Sequence, residues 1–167
     1  NIIDASKEDL DWIGIYVTRV NAELLRLSFK EYTPREIITD PSVASDLTND
    51  VVIGAGWKPG CSTDTDAVLI AEELGAKKII NLSNIDYIYD SDPKINKEAK
   101  KIEKMNWKEY RSIITDKWVP GMNLPFDPIA SKRAEDLELE VVSISGKNLD
   151  SLDKCINGLP IEGTTIK

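Results

Sequence analysis

Two apolar runs between residues 51 and 93 each end directly in a loop of small and polar residues. The first run, at 51–53, precedes GAGWKPGCSTDTDA, and the second, KKIINL at 77–82, precedes SNIDYIYDSDP. A short apolar run bounded by turn residues is typical of a buried strand. In open α/β sheets, ligands bind at the ends of such strands. The pattern therefore predicts an α/β fold with its binding site at these two loops.

Helical and strand patterns alternate along the rest of the chain. Ser6, followed by Asp9, predicts the start of a long amphipathic helix. The remaining periodicity predicts helices at 9–29, 63–74, 105–114, 127–137 and 149–156, and strands at 37–38, 51–53, 78–82, 140–145 and 164–166. Strands connected through helices favour parallel pairing. We therefore expect one domain spanning 1–167, built as a three-layer α/β/α sandwich around a mainly parallel sheet.

Composition excludes several classes of protein. With 21 Lys and Arg against 29 Asp and Glu, the chain is too acidic for a nucleic-acid binder. It contains no histidine, and its two cysteines have no CxxC spacing, which argues against a zinc site or a histidine-based triad. No apolar run reaches the roughly 18 residues of a membrane span. A reducing, cytoplasmic setting is the simplest expectation, and no Cys61–Cys155 disulfide is expected there.

The first loop suits an anion. Gly54, Gly56 and Gly60 allow the backbone to approach a ligand, and the helix start at Ser62 and Thr63 offers hydroxyls and N–H groups to a phosphate. The sequence is neither a Walker A motif nor GxGxxG. The alternative is a simple strand-to-helix turn capped by Ser62 or Thr63. Trp57 either stacks on a base or packs against a helix.

The second loop suits a base and a ribose. Ser83 and Asn84 leave the strand, Tyr89 offers a ring for stacking, and Asp92 precedes a proline that fixes the turn. The alternative is that Tyr87 and Tyr89 form a β-hairpin pair and that Asp92 only forms a turn.

Short motifs in a fixed order carry a family resemblance. Residues 11–22, DWIGIYVTRVNA, reproduce the pattern DxxG followed by TxxNA, and residues 59–64, PGCSTD, match PGxxTD. Residues 83–93, SNIDYIYDSDP, are similar to TNxDGVYxxDP. Residues 127–132, DPIASK, match DPxAxK, and residues 163–166, GTTI, match GTxI. Together they resemble the uridylate (UMP) kinases of bacteria and archaea, a branch of the amino acid kinase superfamily. The resemblance covers essentially the whole chain.

The resemblance implies transfer of the ATP γ-phosphoryl group to UMP, which gives UDP in pyrimidine nucleotide biosynthesis. It implies Mg²⁺ as a companion of ATP and a homo-oligomer, either a dimer or a hexamer, with the helix at 9–29 as a candidate interface. The implied UMP-binding residues are Asp11, Gly56, Trp57, Lys58, Pro59, Gly60, Cys61, Ser62 and Thr63. The implied ATP-binding residues are Ser83, Asn84, Tyr89 and Asp92, and Asp64 and Asp127 are the implied catalytic residues. Such a transfer needs no general base, since the acceptor is already a phosphate oxygen.

The chain departs from the family pattern in two respects. Tyr87 replaces the usual glycine of the second loop. The first strand of the family and its triple-glycine loop have no counterpart before Asp11, so we expect the larger, C-terminal part of such a kinase, with weak activity alone. One alternative function is a non-catalytic nucleotide-binding or assembly subunit. Another is a carbamate, acetylglutamate or isopentenyl phosphate kinase, against which the DxxG and PGxxTD motifs speak.

Roles for several further side chains stay open. Arg19 and Asn21 are substrate ligands or, as we favour, make subunit contacts or face solvent. Lys132 either neutralises the transferring phosphate or lies on a solvated helix face. Asp127 either orients the reaction on the Mg²⁺ side or caps a helix.

Overall fold

The computed structural model describes residues 4–46, 49–91, 93, 95–114 and 124–167. Within them the chain forms two compact units, Asn1–Gly75 and Ala76–Lys167. The expectation that 1–167 acts as a single domain stays a prediction. Asp92 lies outside the described residues, as does most of the glycine- and proline-containing stretch at 114–125, which the sequence predicts to be a mobile loop. No helix in the described ranges is long and apolar enough to cross a membrane.

Two α-helices dominate the first unit. Helix α1 (Lys7–Ser28) begins at a capping box, in which the Ser6 hydroxyl accepts the Asp9 N–H at 3.1 Å and the Asp9 carboxylate accepts the Ser6 N–H at 2.9 Å. A 3₁₀ helix (Pro41–Asp46) comes next, and helix α2 (Thr63–Glu73) follows with Ser62 as its N-cap. Both α-helices lie within two residues of their predicted bounds.

The strands predicted at 37–38 and 51–53 are reduced to one parallel bridge between Ile38 and Gly54. The Ile38 N–H donates to Ile53 at 2.8 Å, and the Ala55 N–H donates to Ile38 at 2.9 Å. Asp40 then accepts the Ser42 N–H at 3.0 Å as the 3₁₀ helix begins, which ends the pairing on that side. The prediction of a strand at 51–53 is therefore wrong, because turn-forming residues leave room for only one bridge.

The second unit contains a four-stranded sheet with helices packed against it. Its elements are β1 (Lys78–Ser83), β2 (Ile88–Tyr89), β3 (Lys101–Ile102), β4 (Lys104–Met105), α3 (Trp107–Ile113), α4 (Pro128–Asp136), β5 (Glu140–Ser145), α5 (Leu149–Ile156) and β6 (Thr164–Ile166). The strand order is β1-β5-β6-β4. The β1/β5 and β4/β6 pairs are parallel and the β5/β6 pair is antiparallel, so the sheet is mixed and mainly parallel. Strands β2 and β3 form a separate antiparallel ribbon.

Strands β1 and β5 end side by side, which creates a polar edge. Their register runs from Lys78 opposite Glu140 to Ser83 opposite Ser145. The Gly146 N–H closes the pair by donating to the Ser83 carbonyl at 2.8 Å. The carboxyl end of β1 thus leads directly into the second loop, with the buried Ser145 beside Ser83.

The helix predicted at 105–114 begins later than expected. Residues 101–105 form β3 and β4 instead, and α3 starts at Trp107. Asn106 caps it, since its side chain accepts the Glu109 N–H at 2.9 Å and the Glu109 carboxylate accepts the Asn106 N–H at 2.8 Å. Asn106 followed three residues later by Glu109 is itself a capping signal in the sequence. The prediction placed the helix start earlier because the Lys and Glu residues before Asn106 also favour a helix.

The core of the second unit forms where α3 and α4 meet the chain around Phe126. Tyr110 and Phe126 are 0% and 1% exposed. The Trp107 ring lies 6.1 Å from the Tyr110 ring and 6.3 Å from the Phe126 ring, and its indole N–H donates to the Leu139 carbonyl at 3.0 Å. This aromatic cluster fixes the entry of α4, which begins directly after Phe126 and Asp127.

Candidate functional site

The segment 54–62, here called the glycine loop, is held against α1 by two neighbouring side chains. The Gly56 N–H donates to the Thr18 hydroxyl at 2.9 Å. The Arg19 guanidinium donates to the Gly56 carbonyl at 3.1 Å and to the Trp57 carbonyl at 2.8 Å. Arg19 therefore contacts the loop backbone within its own chain, a role that sequence reasoning missed. Helical periodicity carries no signal for a contact to a loop 37 residues away.

Two carboxylates fix the rest of the glycine loop. Asp11, on α1, accepts the Gly60 N–H at 2.8 Å. Asp66, on α2 and 4% exposed, accepts the Trp57 N–H at 3.1 Å. The predicted site residues Asp11 and Gly60 are thus in direct contact. The loop conformation is set by side chains on both helices before any ligand arrives.

Close packing explains two of the loop glycines. A Cβ on Gly56 would lie 2.9 Å from the Thr18 Oγ1 atom, and one on Gly54 would lie 2.9 Å from the Ile70 Cδ1 atom. Gly60 is different, because its φ of +84° favours glycine while no described atom lies within 4 Å of the Cβ position. The open side of the glycine loop is therefore at Gly60, beside Asp11.

The remaining residues of the predicted UMP site run from the loop into the start of α2. Lys58 places its ammonium 3.6 Å from the centroid of the Trp57 ring, which is a cation–π contact on the ring predicted either to stack on a base or to pack against a helix. Ser62 caps α2 by accepting the Thr65 N–H at 3.0 Å, as the turn alternative predicts. Pro59 and Cys61 are half-buried, whereas Thr63 is exposed at the first position of α2, and Asp64 follows it. A helix N-terminus of this kind attracts a phosphate.

A cavity of about 320 Å³ opens at the carboxyl end of β1 in the second unit. Its lining includes the predicted ATP-binding residues Ser83, Asn84 and Tyr89. The other walls are mainly apolar and come from Ile85, Ile88, Ile113, Ile114, Leu124 and Pro125, together with Asp90, Ser91 and Pro93. We call it the Ser83 cavity. A lining that combines polar groups with aliphatic side chains suits a ligand with a flat ring and a polar sugar.

The tyrosines of the second loop do not form the alternative hairpin pair. Tyr89 lies opposite Lys101 in the β2/β3 ribbon. The Tyr87 ring lies 4.5 Å from the Lys101 ammonium, which in turn forms an ion pair with Glu103 at 3.1 Å. The hydrogen bond to Glu103 raises the pKa of the Lys101 ammonium. The unusual Tyr87 is thus accommodated by a cation–π contact on the ribbon.

Asp127 caps α4. It is 4% exposed, and its Oδ1 atom accepts the Ile129 N–H at 2.7 Å and the Ala130 N–H at 2.9 Å. This is the capping alternative, and a catalytic role for Asp127 stays a prediction. Lys132 lies on the exposed side of α4, in a groove that Arg111 and Asp136 also line.

The acidic residues do not gather into a metal site in the described part of the chain. There, no group of three or more His, Cys, Asp or Glu side chains is placed to hold a metal ion. A site that uses only one or two carboxylates together with substrate phosphates is the usual way in which Mg²⁺ binds in phosphoryl transfer.

Comparisons with known proteins agree on one group. The sequence profile of the amino acid kinase family matches residues 3–144. The uridylate kinase of Methanocorpusculum labreanum is 33% identical over 160 residues, which cover 93% of this chain and 68% of that protein. The uridylate kinase of Pyrococcus abyssi is 34% identical over 170 residues, which cover 98% and 74%.

Solved structures show the same relationship. The crystal structure of uridylate kinase from Archaeoglobus fulgidus superposes with a TM-score of 0.84 at 31% identity, covering 98% of this chain and 74% of that one. The UMP kinase of Bacillus anthracis shares the fold, with a TM-score of 0.77 at 22% identity. The predicted fold class, an α/β fold with a mainly parallel sheet, is confirmed.

Proposed function

The chain belongs to the amino acid kinase family, and on that basis we propose that it transfers the terminal phosphoryl group of ATP to UMP, giving UDP. The observation that carries the proposal is the relationship to uridylate kinases from several archaea, which extends over both predicted binding loops. The geometry of each loop supports it separately.

We propose that UMP binds at the glycine loop. Gly60 and the exposed start of α2 leave the loop open on one side, where backbone N–H groups favour a phosphate. Asp11 lies at the same side and suits a ribose hydroxyl, which would donate to its carboxylate. The contacts from Thr18 and Arg19 support this assignment, since a loop held in advance loses little entropy on binding.

We propose that ATP binds in the Ser83 cavity. Its aliphatic walls suit the adenine ring, while Ser83 and Asn84 offer hydrogen bonds and Tyr89 offers a ring face. Asp92, which precedes Pro93, stays a predicted contact of the same nucleotide.

Mg²⁺ accompanies ATP in this proposal. Asp64 is predicted to organise the transfer site, and Asp127 is the carboxylate predicted on the Mg²⁺ side, where the ion would be held mainly by the nucleotide phosphates. When bound, it supplies neutralisation of phosphate charge. The chain's own groups then bind and orient the two nucleotides, and no proton acceptor is needed because UMP presents a phosphate oxygen.

We also propose that a second copy of the chain covers one face of α1, here called the α1 seam. Its apolar residues recur at alternating spacings of three and four, and each is between 55% and 62% exposed: Leu10, Ile13, Val17, Val20, Leu24 and Leu27. Such a heptad pattern is typical of a helix that pairs with another helix carrying the same seam. A strip of this kind seldom stays exposed to water.

Nucleotide binding and turnover test the proposal together. We expect isothermal titration to show separate sites for ATP and UMP, and a coupled assay to show ADP formation that depends on UMP. Asp11→Asn should weaken UMP binding by roughly tenfold and leave ATP affinity nearly intact, because the amide still accepts the Gly60 N–H but loses the charge.

Three outcomes would contradict the proposal. In a chain that also carries the family's first strand and triple-glycine loop, ATP binding without UMP-dependent turnover indicates a non-catalytic nucleotide-binding subunit. Faster turnover with carbamate, acetylglutamate or isopentenyl phosphate indicates a different phosphotransferase of the family. Equal loss of UMP and ATP affinity in Asp11→Asn removes Asp11 from the acceptor site.

A further inference from the structure

One wall of the Ser83 cavity is made of chain that belongs to no helix or strand. Leu124 and Pro125 line the cavity just before α4 begins. The backbone there gains no support from a helical or sheet hydrogen-bond ladder. Its position therefore depends on the side chains that bind it from neighbouring elements.

Tyr110 holds this wall from α3. Its hydroxyl donates to the Phe126 carbonyl at 2.6 Å and accepts the Phe126 N–H at 2.8 Å. Tyr110 is fully buried, and Phe126 is 1% exposed, so water has little access to these groups. One oxygen atom thus satisfies both backbone groups of the residue that follows Pro125.

Asn81 holds the same wall from β1. Its side-chain amide donates to the Pro125 carbonyl at 2.6 Å. Asn81 lies two residues before Ser83, a residue of the same strand that lines the cavity. One strand therefore both binds the Pro125 carbonyl and supplies Ser83 to the cavity lining.

We propose that Tyr110 and Asn81 are positioning residues for the donor nucleotide. They hold Leu124 and Pro125 at the distance from Ser83 and Asn84 that lets the cavity enclose a flat base. Neither needs to touch the nucleotide. This inference rests on the proposed function, specifically on ATP binding in the Ser83 cavity.

The same unit contains a matched control. Ser151, on α5 and 2% exposed, donates to the Glu162 carbonyl at 3.0 Å and accepts the Glu162 N–H at 2.8 Å. This hydroxyl bridges the two backbone groups of one residue just as Tyr110 does. Glu162 lies before β6 and not in the lining of the Ser83 cavity. Loss of the Ser151 hydroxyl should lower the stability of the second unit without changing the Ser83 cavity.

The experiment measures ATP and UMP dissociation constants by titration, with melting temperatures, for Tyr110→Phe, Asn81→Ala and Ser151→Ala. We expect the first two variants to raise the dissociation constant for ATP by roughly tenfold, the effect of losing buried hydrogen bonds that shape a site. UMP affinity should stay unchanged in both. Ser151→Ala should lower the melting temperature to a similar extent and leave ATP affinity unchanged.

Two results separate failure of this inference from failure of the proposed function. If Asn84→Ala and Tyr89→Ala weaken ATP binding while Tyr110→Phe behaves like Ser151→Ala, the positioning role is wrong and the donor site stands. If Asn84→Ala and Tyr89→Ala leave ATP affinity intact, the donor site itself is wrong. Should Tyr110→Phe fail to fold, Asn81→Ala decides, because Asn81 is only half-buried and its loss is milder.

Discussion

Thr18 and Arg19 are neighbours on α1, and each fixes the backbone at Gly56 through a different atom. Thr18 accepts the N–H of Gly56, while Arg19 donates to its carbonyl and to the next carbonyl. A guanidinium reaches two carbonyls at once because its donors form a rigid fork. The glycine loop therefore owes its shape to α1 as much as to its own sequence.

Gly56→Ala should destabilise the first unit by about 1–3 kcal/mol, because the added Cβ would lie 2.9 Å from the Thr18 hydroxyl and 3.4 Å from the Ile15 Cα atom. Urea unfolding measures the change. Gly14→Ala is the matched control, since no described atom outside the local helix backbone lies within 4 Å of the added Cβ. There, replacing glycine by alanine in a helix interior should stabilise the unit by about 0.5–1 kcal/mol. Equal changes in the two variants would show that packing at Gly56 is loose.

At the scale of elements, the α1 seam makes a separate prediction. Val20→Asp should convert a dimer into a monomer, because it buries an unpaired charge at a cost of about 3 kcal/mol or more. Sedimentation equilibrium measures the association. Leu25→Asp is the control, as Leu25 is 49% exposed on the same helix but lies off the heptad positions.

The seam variants also distinguish a second copy from another occupant. A monomer before and after Val20→Asp would mean that something other than a second copy covers the seam. Dissociation by both variants to the same degree would mean that the heptad register does not define the interface.

Elements with strong local signals were predictable. β5, α5 and β6 have the predicted bounds, because a segment rich in Val and Ile, an Asn148 cap and a glycine before Thr164 mark them. The late start of α3 and the single bridge at Ile38 were not predicted. There, the outcome depends on which residues find a partner across the fold, and periodicity does not contain that information.

In the candidate site, too, some residues were predictable from the sequence and others were not. The motif resemblance predicted Ser83, Asn84 and Tyr89 as ATP-binding residues, and in the structure all three line one cavity. It gave no indication of the backbone contacts that Arg19, Tyr110 and Asn81 make across 37, 16 and 44 residues of chain. Long-range hydrogen bonds to backbone atoms leave no pattern in a single sequence.

At the scale of the whole molecule, each compact unit carries one cysteine that can report on it. Cys61 and Cys155 are free thiols in the structure, with Cys61 half-buried in the first unit and Cys155 5% exposed in the second. Burial raises the pKa of the Cys155 thiol, against a smaller opposing effect of Lys78. Since the thiolate is the reactive form, the folded state protects Cys155 twice.

At pH 8 we expect a thiol reagent to modify Cys61 directly and Cys155 only when the second unit opens. ATP at about 100 times its dissociation constant should slow Cys155 roughly 100-fold, because it stabilises the closed state by about 2.7 kcal/mol. A colorimetric thiol assay with Cys61→Ala isolates the second rate. No protection by ATP would place the nucleotide outside the second unit.

The pH dependence has a definite sign. Because the folded Cys155 pKa is raised, the stability linked to its neutral thiol is complete below the unfolded value of about 8.5 and is lost as the pH rises through the folded value. Cys155 labelling should therefore accelerate in alkaline solution by more than reagent chemistry alone requires, and Cys155→Ala should flatten the stability profile there.

The two hydrogen bonds of the Tyr110 hydroxyl limit which substitutions this position can accept during evolution. Substitution tables score tyrosine and phenylalanine as near equivalents, since the rings have the same size. Here that exchange strands an amide and a carbonyl in the interior. A lineage that acquires phenylalanine at 110 must therefore also acquire a new polar neighbour near 126, and the two changes should appear as an inherited pair.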